Sequence, residues 1–117
     1  QQAKVLSDPI IVRTILQNLI GNAIKHTSEG FVEVSVRLED SHFRISVRDS
    51  GPGIPAELQG EVFEPFRQLG DLEKKHKPGF GLGLSIASEA AKYLGTRIEL
   101  VSQVDQGSTF STLIPTS

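Results

Sequence analysis

A run of polar residues on one predicted helix carries groups of the kinds that can bind a metal ion and phosphate. Asn18 and Asn22 are four residues apart, and Lys25 and His26 follow one turn later, so the four side chains share one stripe of a helix. An amide oxygen is a ligand for a hard cation such as magnesium, and an ammonium group neutralises phosphate. The alternative interpretations are a solvated helix face and Asn side chains that bond neighbouring loops. His26 has no second His, Asp or Glu beside it at ligand spacing, which argues against zinc.

Asp49 ends a strand in which apolar and polar residues alternate. It is separated from Ile45 and Val47 by an even number of residues along the strand and so shares their face of the sheet. Its carboxylate is therefore expected to point towards the apolar layer, where an unpaired charge is costly. Two interpretations remain open. The carboxylate either caps the N–H groups of the following glycine turn, or accepts a hydrogen bond from the exocyclic amine of adenine at the floor of a pocket. In the second case Gly51 and Gly53 let the backbone approach the ring closely.

Three alternate glycines, Gly79, Gly81 and Gly83, precede a second predicted helix. They give the chain flexibility, or they form a cradle in which free N–H groups and the helix dipole meet a phosphate. Their spacing is not that of the GxxxxGK[ST] phosphate loop. A charged loop, not a strand, comes before them, which argues against a dinucleotide-binding fingerprint.

The elements that position these groups follow from capping residues and periodicity. Ser7-Asp8-Pro9 predicts a helix start, and the helix is expected to run to about Thr27. From Val32 the period becomes two, which predicts an antiparallel hairpin with one apolar and one charged face. A second helix ends before Gly95, in a position that tolerates left-handed geometry.

Two further strands, over residues 97–102 and 108–114, close the chain. We therefore predict an α+β fold, a two-layer sandwich whose mixed, mostly antiparallel sheet is covered on one face by helices. The helices must cover the apolar side of the hairpin. Their predicted inward positions are Val12, Leu16, Leu19, Ile20 and Ala23 in the first helix and Leu84, Ala87, Ala91 and Leu94 in the second.

Composition excludes several classes of protein. The 117 residues, 38% of them hydrophobic and 22% charged, are those of one ordinary globular domain. A formal charge of −2 gives no basic excess for nucleic acid or anionic lipid, so we expect neither nucleic-acid binding nor direct membrane contact. The absence of Cys excludes disulfides and thiolate metal sites and suits a cytoplasmic location. The parent protein could be membrane-anchored elsewhere.

The order of these motifs resembles the ATP-binding catalytic domain of sensor histidine kinases. That domain belongs to a superfamily with gyrase-type, heat-shock chaperone and mismatch-repair ATPases, and the resemblance implies its Bergerat-type fold over residues 8–117, with residues 1–7 as a linker from a preceding domain. Residues 18–27 look like its asparagine box, 49–54 like its first glycine box, 63–66 like its phenylalanine box, 79–84 like its second glycine box and 107–110 like its short final motif.

The resemblance implies that the domain binds ATP and Mg²⁺. Asn22 would hold magnesium, Lys25 would approach phosphate, His26 would flank the nucleotide and Asp49 would bind adenine; Asn18, Asn22 and Lys25 would be the catalytic group. Residues 67–78 would form an ATP lid. The remaining implied ATP-binding residues are Asn18, Gly51, Gly53, Ile54, Phe66, Gln68, Gly81, Leu82, Gly83, Leu84 and Thr109, the last of which would close the pocket floor.

Three positions are informative because they differ from the pattern of relatives. Phe80 stands where the family more often has Thr or Ser, and the neutral Gln68 stands where many members carry Arg. The ATPase relatives carry a water-activating Glu four residues before the metal ligand, where this chain has Asn18, and a neutral amide cannot act as that base. Water attack should therefore be slow, whereas an imidazole is already a good nucleophile and needs no such carboxylate.

The resemblance implies transfer of the γ-phosphoryl group of Mg-ATP to a histidine, as in two-component signal transduction. None of His26, His42 and His76 begins a His-Glu-x-x-x-Pro motif, so the acceptor must lie on a separate dimerisation domain, expected upstream in the parent chain. A response regulator receiver domain would be the further partner. Two alternatives remain open: an anti-sigma-type protein-serine kinase, and a nucleotide-sensing interaction module without catalysis.

Overall fold

The computed structural model describes residues 8–63 and 83–115. This part of the chain forms two α-helices and a four-stranded sheet, which confirms the predicted α+β sandwich. None of its helices is long and apolar enough to cross a membrane. The elements are α1 (Pro9–Lys25), β1 (Val32–Glu39), β2 (His42–Asp49), a short 3₁₀ helix (Ala56–Leu58), α2 (Gly83–Tyr93), β3 (Ile98–Gln103) and β4 (Gly107–Pro115).

Helix α1 begins at the predicted capping residues. Asp8 Oδ1 accepts a hydrogen bond of 2.8 Å from the backbone N–H of Ile10, and Pro9 occupies the first turn, where its missing N–H leaves no donor unpaired. The helix ends at Lys25, and His26 N donates to the carbonyl of Asn22 at 3.1 Å. The cap at Asp8 and the helix end at Lys25 therefore define the part of the chain in which the polar stripe of α1 lies.

The core lies between the helices and the two central strands. The predicted inward residues of α1 and α2 all belong to this core or pack against it. Ile15, which the sequence analysis left out of the inward set, is also buried. The residues that form the buried core are Ile15, Leu19, Ala23, Ile45, Val47, Ile54, Val62, Leu84, Ala87, Ala91, Phe110 and Ile114.

The described strands lie in the order β1-β2-β4-β3, and every neighbouring pair is antiparallel. The last strand in sequence, β4, therefore lies between β2 and β3. Val47 faces Phe110 across the β2–β4 pair, and both side chains are almost fully buried. This register sets which residues of β4 face the helices and which face away from them.

The apolar side of β1 is an exception to the predicted burial. Val34, Val36 and Leu38 are 46%, 62% and 59% exposed, whereas Ile45 and Val47 of β2 are buried. The prediction that helices cover the apolar side of the whole hairpin is therefore wrong for β1. The reason is its position, because β1 is an edge strand of the described sheet while the core centres on β2 and β4.

The sheet face directed away from the helices is held by charged side chains. Arg44 on β2 donates to Glu39 at 3.0 Å and to Glu99 on β3 at 3.1 Å, so one guanidinium connects three strands. Its hydrogen bond to Glu39, followed by that to Glu99, raises the pKa of Arg44 above its usual value. The outer face is thus polar. A ligand site that borders the apolar layer must therefore lie on the helix-facing side of the sheet.

We predict that replacing a core side chain of α1 destabilises the fold far more than replacing an exposed one. Leu19 is 0% exposed and Ile24 is 61% exposed on the same helix. Leu19→Ala should lower the free energy of unfolding by about 2–5 kcal/mol, and the matched Ile24→Ala by less than about 0.5 kcal/mol. Urea unfolding followed by circular dichroism measures both. Equal losses for the two variants would contradict this assignment of the core.

Candidate functional site

Asp49 is a buried carboxylate at the last residue of β2. Its side chain lies on the helix-facing side, as strand parity predicts, and the residue is 4% exposed. Oδ1 accepts a hydrogen bond of 2.9 Å from the backbone N–H of Gly51, which is the capping contact considered above. Within the described part of the chain, no other hydrogen bond to this carboxylate is seen. Oδ2 is therefore available to a donor from outside that part.

The loop after Asp49 runs so close to its neighbours that two positions require glycine. A Cβ on Gly51 would lie 2.6 Å from the His26 carbonyl oxygen, which is closer than real Cβ atoms approach. Gly53 has a φ of +77°, and a Cβ there would collide with the carbonyl of Gln103. The loop thus packs between the end of α1 and the β3–β4 turn.

Hydrogen bonds fix the far end of this loop. Ile54 N donates to Ser102 Oγ at 2.8 Å, and the amide of Gln59 donates to the Ile54 carbonyl at 2.8 Å. Asp105 N donates to the Pro52 carbonyl at 2.7 Å. Ile54 itself is buried. These hydrogen bonds join the first glycine box to β3 and to the turn between β3 and β4.

The polar residues of α1 differ sharply in burial. Asn22 is only 8% exposed, while Lys25 is exposed and His26 is half-buried. The side chain of Asn18 donates to the carbonyl of Thr14 at 2.7 Å. Its Oδ1 is 3.5 Å from where a Cβ on Gly83 would stand, so the first turn of α2 comes close to the Asn18 side chain.

Thr27 is a neighbour of the glycine loop that the sequence analysis did not select. Its Oγ1 is buried and has no hydrogen-bond partner among the described residues, and it lies 3.4 Å from where a Cβ on Gly51 would stand. A buried hydroxyl without a partner is uncommon in folded proteins. Its place at the end of the asparagine box was the one signal in the sequence that could have identified it.

One predicted site residue lies on the wrong face of the sheet. Thr109 pairs with Arg48 on β2 and with Val101 on β3, so it belongs to the outer face and cannot close a pocket at Asp49. The prediction for Thr109 is wrong, because side chains of adjacent β4 residues point to opposite faces. Ser108, which is 6% exposed and pairs with Asp49, occupies the place expected for Thr109.

The start of α2 contributes two of the predicted residues. Gly83 is the first residue of the helix, and Leu84 is fully buried in the core, so the Leu84 side chain packs and only its backbone can face a ligand. The other predicted residues of this region lie outside the described residues. These are Phe66, Gln68, Phe80, Gly81 and Leu82, together with the predicted lid over residues 67–78.

The described residues therefore bring three predicted segments to one end of the sandwich. Asp49 and the glycine loop lie beside the end of α1, and Asn18 of α1 lies beside the start of α2. Among described residues no group of three or more His, Cys, Asp or Glu could hold a metal ion.

Comparisons with known sequences identify the family of this chain. Residues 7–117 match the family described as histidine kinase-, DNA gyrase B-, and HSP90-like ATPase. Sensor histidine kinase AruS of Pseudomonas aeruginosa is 44% identical over 106 residues, which cover 85% of this chain and 10% of AruS. Sensor histidine kinase RcsC of Escherichia coli is 36% identical over 108 residues, which cover 92% of this chain and 11% of RcsC. The chain thus spans only a small part of these relatives.

Solved structures agree with the sequence relatives. Full-length ShkA in complex with AMPPNP aligns with a TM-score of 0.84 at 32% identity, covering 99% of this chain and 24% of ShkA. The mycobacterial sensor histidine kinase MprB aligns with a TM-score of 0.81 at 25% identity, covering 97% of this chain and 76% of that structure. Motif order, fold and relatives agree, and the chain belongs to the family of histidine kinase-, DNA gyrase B- and HSP90-like ATPases.

Proposed function

We propose that this domain binds Mg-ATP and transfers the γ-phosphoryl group to a histidine on a separate dimerisation domain. The observation that carries the proposal is the buried Asp49 carboxylate, which has one oxygen held by Gly51 N and no further hydrogen bond within the described residues. The relatives AruS and RcsC are named sensor histidine kinases, and ShkA was solved with the ATP analogue AMPPNP. A response regulator receiver domain is the proposed downstream partner.

Adenine recognition is assigned to Asp49. The exocyclic amine of adenine is a hydrogen-bond donor, and a carboxylate is a charge-assisted acceptor. Because Gly51 N fixes Oδ1 at 2.9 Å, the carboxylate cannot turn freely, and Oδ2 keeps one direction. Gly51 carries no side chain to cover this end of β2, so a flat base can approach the backbone.

Phosphate and metal binding are assigned to α1. Magnesium takes few protein oxygens, and it supplies charge neutralisation of the phosphates. The amide oxygen of Asn22 suits such a cation, and the burial of Asn22 restricts the side chain to few rotamers. Lys25 is exposed in the last turn of the same helix, so its ammonium group can reach the phosphates as they lie along α1.

Phosphoryl transfer then needs positioning more than a protein base. A nitrogen of the acceptor imidazole attacks the γ-phosphorus, the bond to the β,γ-bridging oxygen breaks, and ADP leaves with that oxygen. Lys25 neutralises charge on the moving group. Asn18 cannot take a proton from water, and its amide is already donating to Thr14. Transfer is therefore favoured over hydrolysis.

We predict that Asp49→Asn weakens ATP binding by about 1–3 kcal/mol, because a charged acceptor is lost. The Asn oxygen can still accept from Gly51 N, which leaves an NH₂ group facing the amine of adenine. The control is Asp40→Asn in the exposed β1–β2 turn, where the φ of 53° tolerates Asn. Calorimetry measures the affinity and thermal melting the fold. Unchanged affinity in a folded Asp49→Asn protein would exclude the adenine role.

The metal ligand is tested by Asn22→Ala. Because Asn22 is the proposed magnesium ligand, this variant should abolish the gain in ATP affinity that magnesium gives, and should change metal-free affinity much less. Asn18→Ala, on the same helix, should keep most of the magnesium effect. Titrations of each variant with ATP, with and without magnesium, provide the measurement. A magnesium effect equal to that of the wild type in Asn22→Ala would reject the assignment.

The transfer reaction is tested by adding the dimerisation domain of the parent chain. The lone domain should bind ATP but neither label itself from γ-labelled ATP nor release phosphate rapidly, whereas the added domain should become labelled. Lys25→Ala should slow labelling at least about tenfold through loss of a phosphate counter-charge, and Lys92→Ala, exposed on α2, should not.

Acid treatment identifies the labelled residue, because acid destroys phosphohistidine and spares phosphoserine. Acid-stable label on a partner would point to the serine-kinase alternative. ATP binding without any transfer to the dimerisation domain would point to a nucleotide-sensing module. Rapid phosphate release by the lone domain would mean that a base other than residue 18 activates water.

A further inference from the structure

Both backbone groups of Ile54 are hydrogen-bonded to side chains from other parts of the fold. Ile54 N donates to Ser102 Oγ at 2.8 Å, and the Ile54 carbonyl accepts from Gln59 Nε2 at 2.8 Å. Gln59 Nε2 also donates to the Ser102 carbonyl at 3.2 Å. The two N–H groups of one amide are thus matched by two carbonyl oxygens, one at the end of the first glycine box and one on β3.

The Ser102 carbonyl lies on the side of β3 that faces away from β4. The carbonyl of the next residue, Gln103, accepts from Gln106 N at 2.9 Å within the β3–β4 turn, and the backbone groups of successive strand residues point to opposite sides. Because β3 is an edge strand of the described sheet, no described strand pairs with the Ser102 carbonyl. Gln59 supplies its donor, and thereby attaches the chain after Ile54 to this edge.

This attachment matters because the loop between Asp49 and Ile54 contains two glycines. Gly51 and Gly53 are required where the loop approaches neighbouring backbone, but glycine also has the largest conformational freedom of any residue. A contact that holds the far end of so short a loop restricts the residues within it. A loop that is already ordered costs a ligand less to bind than one that the ligand itself must order.

We propose that Gln59 is a positioning residue of the nucleotide site. Its amide holds Ile54 against β3 and so keeps the glycine loop in its binding conformation before nucleotide arrives. This inference rests on the proposed ATP binding. Gln59 is half-buried, follows the loop in sequence and acts through Ile54 and Ser102. We therefore expect it to affect nucleotide affinity and not the rate of phosphoryl transfer.

Hydrogen exchange measured by NMR tests the attachment in the absence of nucleotide. Gln59→Met removes both donors from a side chain of similar length. The Ile54 amide should then exchange at least about tenfold faster than in the wild type, and saturating ATP should restore most of its protection. The matched control is Gln17→Met on the exposed face of α1, which should leave this exchange unchanged. Equal exchange of Ile54 in Gln59→Met and the wild type would overturn the inference.

Calorimetry and labelling kinetics test the consequence for the nucleotide site. Gln59→Met should weaken ATP binding about threefold to tenfold. At saturating ATP, labelling of the dimerisation domain should stay within about twofold of the wild-type rate, because Gln59 contacts no reacting group. A role limited to stability would lower the melting temperature and leave the affinity of the folded variant unchanged, and that result would overturn the inference.

Two further variants separate the hydrogen bonds from packing. Gln59→Lys retains donors for the two carbonyls and should bind ATP within about twofold of the wild type; a loss equal to that in Gln59→Met would assign the effect to packing and overturn the inference. If Gln59→Met fails to fold, Gln59→Glu, which has the same shape without the donors, should show the loss, and unchanged affinity there overturns the inference.

The wild type distinguishes failure of this inference from failure of the proposed function. Wild-type protein that binds no ATP would overturn the proposed function, and the role of Gln59 in the nucleotide site with it. Wild-type protein that binds ATP, with equal affinity in a folded Gln59→Met variant, would overturn this inference alone.

Discussion

The burial of one carboxylate constrains the rest of the site. Asp49 is 4% exposed, and an ionised group removed from water must receive hydrogen bonds. The donor is Gly51 N, so β2 must end at Asp49 and the chain must turn back at once. That turn brings the loop against the His26 carbonyl, which places the end of α1 beside the end of β2. Helix α1, the proposed phosphate-binding element, and the loop after Asp49, the proposed base-binding element, are therefore held together by the same bend.

Local signals were sufficient to predict much of this fold from the sequence. The cap at Asp8 and the alternation of β2 depend on neighbours within a few residues, and both were found as predicted. The parity of Asp49 followed from that alternation, and its capping bond to Gly51 is present. Its contact with adenine remains a prediction, because that contact depends on a ligand and not on the chain.

Features that depend on distant contacts could not be predicted in the same way. The choice between Ser108 and Thr109 depends on the register of β4 against β2, which joins residues about sixty positions apart. Periodicity likewise predicted one apolar face for β1. Val36 on that face is nevertheless exposed, because β1 is at the edge of the described sheet. The position of a strand in the sheet depends on the whole fold and not on the sequence of that strand. Asn22 was identified as polar and was then found buried, because burial on α1 depends on which other elements pack against the helix.

The central position of β4 also governs when the domain can fold. During synthesis, residues 8–106 leave the ribosome before β4 does, and until then β2 and β3 have no common neighbour. Antiparallel pairing over such separations is slow, because the chain must close a long loop before contacts form. A nascent chain therefore carries Asp49 at an unpaired strand edge, without Ser108. Any site that needs β4 beside Asp49 is therefore complete only once residue 115 has left the ribosome.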